Sequence, residues 1–164
     1  GHVTGVQTCA LPIFFFAYLS GFDTHDLEIN DQGNGLLQVG QALNAFYNAT
    51  VEMGVGRNVV TFTESDFGRT FKPSGGATLG TDHAWGSHHF IIGDAVKGGD
   101  VYGTFPTHEL SGPDDATGRG VWIPTTSLDQ YGATLTTWFG VDPTKLGDVF
   151  PNLKNFPGAL PAFL

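Results

Sequence analysis

A stretch with helical periodicity lies between two short apolar runs, and this order constrains the fold more than any other feature. Apolar residues recur at three- and four-residue steps from Leu36 to Val51, which predicts an amphipathic helix ending near Gly54. Residues 14–20 (FFFAYLS) and 58–62 (NVVTF) are typical of buried strands. Because strand, helix and strand follow one another, the sequence predicts an α/β fold with a mostly parallel sheet flanked by helices.

The rest of the chain predicts one more strand, a long loop and a second helix. Residues 89–92 (HFII) form a candidate third strand, and residues 93–119 have no clear period, which indicates an extended loop region. Ser127 and Gln130 form a capping-box pattern before an apolar periodic stretch. That helix is expected to end at Gly140.

Charge and hydropathy restrict the possible partners. Seven basic and sixteen acidic residues give a net charge of −9, which disfavours binding to a phosphate backbone, so we expect no nucleic-acid partner. No run approaches the roughly 20 apolar residues that a membrane helix needs, so we expect no membrane span in this fragment.

We expect the first residues to have a separate origin from the rest of the chain. Residues 3–13 (VTGVQTCALPI) match the translation of a common sequencing adapter, an agreement too long for coincidence. We therefore interpret residues 1–13 as an artefactual leader from metagenomic sequence assembly, and Cys9 as uninformative about redox compartment. Residues 14–164 are then expected to be the carboxy-terminal part of a single domain that is truncated at its N-terminus.

Polar clusters follow the first two predicted strands. Asp23 and His25 come after the first. Asp66, with Glu64 as the alternative, and Arg69 come after the second. In open α/β sheets, ligands bind at the carboxyl ends of strands. Carboxylate and imidazole together suit Zn²⁺ or a similar divalent ion. The planar guanidinium of Arg69 suits a sulfate or phosphate group, with a salt bridge across the loop as the alternative.

A third cluster lies in residues 81–89 (TDHAWGSHH), which hold three histidines and one aspartate. This concentration favours metal binding by Asp82 and His83. His88 and His89 are adjacent, and neighbouring residues of a strand point to opposite faces, so only one of the two is expected in the site. We take His89 as the candidate ligand, with His88 as the alternative.

These clusters, in this order, resemble the DUF1501 family. The resemblance runs from about Phe14 to Phe156 and departs from the family pattern at Asp66, where Glu is more usual, and at Ala84, where Gly is common. Asp at position 66 still provides a carboxylate, so we expect the site to be retained. The resembling stretches are GFDTH (21–25), TESDFGRT (63–70), GTDHAWGSHHFIIGDAVKGG (80–99), GRGVWIPTTSLDQYGATLTTWFGV (118–141) and FPNL (150–153).

The family is grouped with alkaline phosphatases and sulfatases, so the resemblance implies an alkaline-phosphatase-like sandwich around a large, mostly parallel sheet. Asp23 and His25 then resemble the ligands of one divalent metal ion: zinc, manganese or calcium. The Asp82–His83 pair resembles the Asp-His-Gly motif of the superfamily. In a second alignment Asp66 takes that role, and His83 or His89 is a later ligand. Both alignments stay open at the level of sequence.

The resemblance implies a metal-dependent hydrolase of sulfate or phosphate esters, acting on a small molecule or a glycan. A bound dication polarises the ester, and Arg69 is expected to add catalytic charge stabilisation. The nucleophile of such enzymes lies in the amino-terminal half, so we expect this fragment to be inactive alone. Family export signals imply a periplasmic or extracellular location. Alternative hypotheses are a non-catalytic metal- or glycan-binding descendant of the fold, and a structural role for the histidines.

Overall fold

The computed structural model describes residues 13–164, so nearly all of the proposed artefactual leader, with Cys9, lies outside the described residues. The described part contains three α-helices and four strands of two residues each. The helices are α1 (Glu28–Glu52), α2 (Leu128–Trp138) and α3 (Leu146–Val149), with 3₁₀ turns at Gly56–Asn58, Pro143–Lys145 and Leu153–Asn155. The strands are β1 (Thr61–Phe62), β2 (Gly68–Arg69), β3 (His83–Ala84) and β4 (Ile91–Ile92).

The strands form two separate antiparallel pairs, so the prediction of a mostly parallel, alkaline-phosphatase-like sandwich is wrong for this structure. β1 pairs with β4, and β2 pairs with β3. The chain connects β1 to β4 through loops and the β2–β3 pair, and no helix lies between them to return the chain in a parallel direction. Residues 14–20, predicted as a buried strand, form no strand, and Phe15 and Phe16 are 82% and 81% exposed.

The predicted first helix is confirmed and is longer than its apolar period indicated. α1 has 25 residues, and the chain leaves it through Gly54 in the left-handed conformation (φ 71°). Thr50 is its buried residue, whereas Leu36 and Leu37 are more than half exposed. Among the described residues, no helix is both long and apolar enough to cross a membrane.

The predicted capping box at the start of α2 is confirmed. The Gln130 backbone N–H donates to Ser127 Oγ at 3.1 Å, and the Ser127 N–H donates to Gln130 Oε1 at 3.0 Å. These bonds satisfy two helix-end donors that would otherwise lack partners. α2 then contributes Tyr131 and Leu135 to the hydrophobic core, where they form one cluster with Phe163.

The β1–β4 pair lies between the two long helices. Val60, Phe62 and Ile91 pack against the core that α2 supplies. Ile92, the next residue of β4, lines an apolar groove along α1, because successive side chains of a strand point to opposite faces. The groove is lined by Leu36, Val39, Gly40, Leu43, Asn44, Tyr47, Phe90 and Ile92.

Candidate metal centre

Three side chains from two distant parts of the chain meet at the surface. Asp23 Oδ1 lies 3.0 Å from His25 Nε2 and 2.8 Å from His83 Nε2, and the two Nε2 atoms are 3.3 Å apart. Neighbouring ligands around an ion with bonds of about 2.1 Å are separated by about 3.0 Å in octahedral and about 3.4 Å in tetrahedral geometry. The donor types and their spacing therefore fit a divalent cation, and all three side chains are about half exposed.

Helix α1 positions the loop that carries Asp23 and His25. Gln32 Nε2 donates to the Phe22 carbonyl and to Thr24 Oγ1, each at 3.0 Å. The Phe22 ring packs so closely on Gly35 that a Cβ there would lie 2.8 Å from the ring. The prediction that this cluster follows a strand is wrong, since residues 14–20 form none; the helix that comes after the loop orients it instead.

His83 reaches the same point through β3. In the β2–β3 pair His83 lies opposite Arg69, so both side chains are on one face of the sheet. The Phe67 ring lies 4.3 Å from the His83 ring and 5.6 Å from the guanidinium carbon of Arg69. A slip of the strands by one residue would move His83 to the opposite face.

Arg69 connects the two segments of the candidate centre through hydrogen bonds. Its side chain is only 14% exposed, and Nη1 donates to Asp23 Oδ1 at 2.7 Å. Nε donates to Thr81 Oγ1 at 2.9 Å, and Nη2 donates to the carbonyl oxygens of Thr24 and Thr81. Every nitrogen of the guanidinium is therefore engaged within the protein. The salt bridge of Arg69 is to Asp23, 46 residues away, rather than across its own loop. The catalytic role expected of Arg69 stays a prediction.

Asp82 lies on the far side of the His25 ring. Its Oδ1 is 3.3 Å from His25 Nδ1, and its Oδ2 pairs with Arg119 Nη2 at 2.5 Å. The structure thus places Asp82 next to the candidate ligand His25 and outside the group of three converging atoms. Arg119 was missed by the sequence reasoning, because it lies in a loop with no local pattern that points to Asp82.

The arginines lower the pKa of the two carboxyl groups at the candidate site. The hydrogen bond from Arg69, followed by that from His83, holds the pKa of Asp23 below its ordinary value of 3.8. The hydrogen bond from Arg119 is the largest cause of the lowered pKa of Asp82. Ionised carboxylates are the form that binds a cation.

The structure does not bring Asp66 or His89 into this group. Asp66 is exposed at the surface. His89 is half-buried; its Nδ1 lies 3.4 Å from Thr63 Oγ1, and its ring stacks on Tyr131 at 5.8 Å. Burial lowers the pKa of His89. His88, the alternative to His89, stacks on Phe105 at 5.0 Å.

The structure and the site define a mixed helix-and-sheet protein with a candidate mononuclear metal centre at its surface. A model of the family described as "Protein of unknown function (DUF1501)" matches residues 12–146, so the chain belongs to this family. The family predicted from the sequence motifs is confirmed. No curated protein and no solved structure matches the chain significantly.

Proposed function

We propose that this chain provides a divalent-metal site to a hydrolase of sulfate or phosphate esters, acting on a small molecule or a glycan. The observation that carries the proposal is the convergence of Asp23 Oδ1, His25 Nε2 and His83 Nε2. Two imidazoles and one carboxylate suit zinc or manganese better than calcium, which prefers a shell of oxygen ligands. The periplasmic or extracellular location that the family resemblance implies belongs to the same proposal.

A dication bound here would polarise an ester oxygen and offset the negative charge that develops during cleavage. Among the residues of the chain, Arg119 is the better candidate for contact with the ester. Its side chain is 43% exposed, against 14% for Arg69, and its bond to Asp82 keeps it beside the ligand residues. Arg69 instead keeps Asp23 oriented and lowers the pKa of its carboxyl group.

A second candidate function is metal binding without catalysis. Two hydroxyl residues close to the candidate ligands in sequence, Thr24 and Thr81, are both buried. Thr24 Oγ1 accepts from Gln32, and Thr81 Oγ1 accepts from Arg69. These hydroxyls act as structural hydrogen-bond acceptors in a buried setting, which disfavours them as nucleophiles.

Metal content tests the proposal. We expect the full chain, purified without chelators, to carry close to one zinc or manganese ion, measured by mass spectrometry and titration. The Asp23→Ala/His83→Ala double variant should lose it, whereas Asp66→Ala and His89→Gln should retain it. A folded wild-type chain that takes up neither ion would overturn the proposal and favour histidines that are satisfied by hydrogen bonds alone.

Anion binding separates the two candidate functions. In the zinc-loaded chain, we expect inorganic phosphate or sulfate to bind at the metal and Arg119, and Arg119→Ala to weaken it. Arg57→Ala is the matched control, since Arg57 is also exposed but lies in the Gly56–Asn58 turn. A zinc-loaded chain that binds neither anion would support metal binding without ester hydrolysis.

A further inference from the structure

We propose that Asp82 is a positioning residue that sets the tautomer of His25, and that Arg119 holds Asp82 in place for this purpose. The inference rests on the proposed metal site, because it concerns which ring nitrogen His25 presents to an ion. It assigns Asp82 a role different from that of a direct ligand.

The ring of His25 lies between two carboxylates. Its Nε2 faces Asp23 Oδ1 at 3.0 Å, and its Nδ1 faces Asp82 Oδ1 at 3.3 Å. A neutral imidazole carries one N–H, and a carboxylate accepts but cannot donate. When Nδ1–H donates to Asp82, Nε2 keeps its lone pair at the point where the three ligand atoms converge. Metal-binding histidines commonly donate their other N–H to such a partner.

The two oxygens of Asp82 have different partners. Oδ1 faces His25, and Oδ2 pairs with Arg119 Nη2 at 2.5 Å. The carboxylate therefore bridges an imidazole and a guanidinium. Because both oxygens have partners, the carboxylate is held in one orientation. It faces His25 Nδ1, the ring nitrogen that would not bind the ion.

The backbone of Asp82 is fixed independently of its side chain. Its N–H donates to Thr70 Oγ1 at 3.0 Å, and its carbonyl accepts from the Thr70 N–H at 2.9 Å. The side chain of Asp82 is 37% exposed and that of Arg119 is 43% exposed, and exposed ion pairs contribute little to stability. Substitution of Asp82 should therefore change the setting of His25 without unfolding the chain.

The first test is zinc affinity. Loss of the hydrogen-bond partner of a metal-binding histidine typically weakens binding by about 10- to 100-fold, which we expect for Asp82→Ala in the full chain. Compared in the Arg119→Ala background, where no guanidinium competes for the single amide oxygen, Asp82→Asn should keep most of the affinity that Asp82→Ala loses, since that oxygen can accept from Nδ1–H. Asp148→Asn, which removes a carboxylate paired with Lys145, is the control and should bind as wild type. Equal losses in both Asp82 variants would indicate a direct ligand and overturn the inference.

The second test is the tautomer itself. We expect nitrogen-detected NMR of the metal-free chain, above the pH range where imidazole is protonated, to show the His25 proton on Nδ1. Asp82→Ala should move the population toward Nε2–H, with circular dichroism unchanged. A wild-type ring protonated on Nε2 would refute the role of Asp82. This measurement needs no metal, so it distinguishes failure of the inference from failure of the proposed metal site.

Discussion

Gly80 lies where two segments of backbone approach each other beside the candidate metal centre. A Cβ at position 80 would overlap the His25 carbonyl group, and the Thr81 N–H donates to the Thr24 carbonyl at 3.2 Å. We expect Gly80→Ala to lower the free energy of unfolding by about 1–3 kcal/mol, as overpacking does, and to weaken zinc binding. Urea denaturation and zinc titration measure the two effects.

Gly76 provides the matched control for this substitution. It lies in the same loop, and a Cβ at position 76 would meet nothing within 4 Å. Gly76→Ala should change stability by less than about 0.5 kcal/mol, or raise it slightly through the unfolded chain. If Gly80→Ala and Gly76→Ala lost similar amounts of stability, the lack of space beside His25 would not be the cause of the loss in Gly80→Ala.

Asp115 ties together the loop that leads to Arg119. Backbone N–H groups of Ser111, Thr117, Gly120 and Val121 all donate to its carboxylate. Desolvation opposes ionisation of Asp115, but these bonds outweigh it and lower its pKa from 3.8 to about 2. Because the pKa of Asp115 is lower in the folded chain than in the unfolded chain, its ionised form stabilises the folded chain at pH values above the unfolded-state pKa. This stabilisation is lost as the pH falls through about 2.

Asp115→Asn should therefore be less stable than wild type near neutral pH, and the difference should shrink as the pH falls from about 4 to about 2. Urea denaturation at a series of pH values measures the difference. Asp26→Asn removes one exposed carboxylate and serves as the control for net charge. A difference for Asp115→Asn that stays constant down to the lowest pH would contradict the assignment.

At the level of elements, we expect the N-terminal cap of α2 to contribute to the free energy of unfolding of the whole chain. Ser127→Ala removes the acceptor of the Gln130 N–H, and such a loss costs about 1 kcal/mol. Because α2 carries Tyr131 and Leu135 of the core, the loss should appear in global unfolding by urea. Ser127→Asp keeps a capping oxygen and should restore the wild-type midpoint. Equal stability of the Ala variant and wild type would show that the cap contributes nothing measurable.

The two longer helices, α1 and α2, were predictable, whereas the pairing of the strands was not. Helical periodicity and capping involve residues three or four apart, so their signal is present in any short stretch. β1 and β4 are separated along the chain, and their partners depend on the path of the loops between them. The apolar run 14–20 has the composition of a strand but has no strand partner among the described residues.

On the scale of the whole molecule, the groove along α1 leaves apolar surface in contact with solvent. Such surfaces bind hydrophobic dyes. We expect the native chain to enhance the fluorescence of anilinonaphthalene sulfonate, and Leu36→Gln to reduce the enhancement because Leu36 lines the groove. Leu128→Gln is the control, since Leu128 is 60% exposed on α2 and lies outside the groove. No enhancement by the native chain would contradict an open groove.

The sequence predicted the types of residue in the candidate site, but only some of the particular residues that belong to it. Asp23, His25 and His83 were named from clusters of metal-binding side chains, and the structure brings them together, although their ligand role stays a prediction. Asp66 and His89 had the same local signal and lie elsewhere. Composition identifies groups that are able to bind a metal but does not say which of them meet.

The sequence by itself determined helices α1 and α2, the capping box and the family, because each is encoded by neighbouring residues or by ordered motifs. Only the tertiary structure decided that Arg69 binds Asp23, 46 residues away, and that His83 reaches Asp23 across 60 residues. It also decided that Arg119 binds Asp82. Such contacts depend on strand register and on close backbone approach at Gly80. Strand register and backbone approach produce no periodic pattern in the sequence, since each depends on segments that meet only after folding.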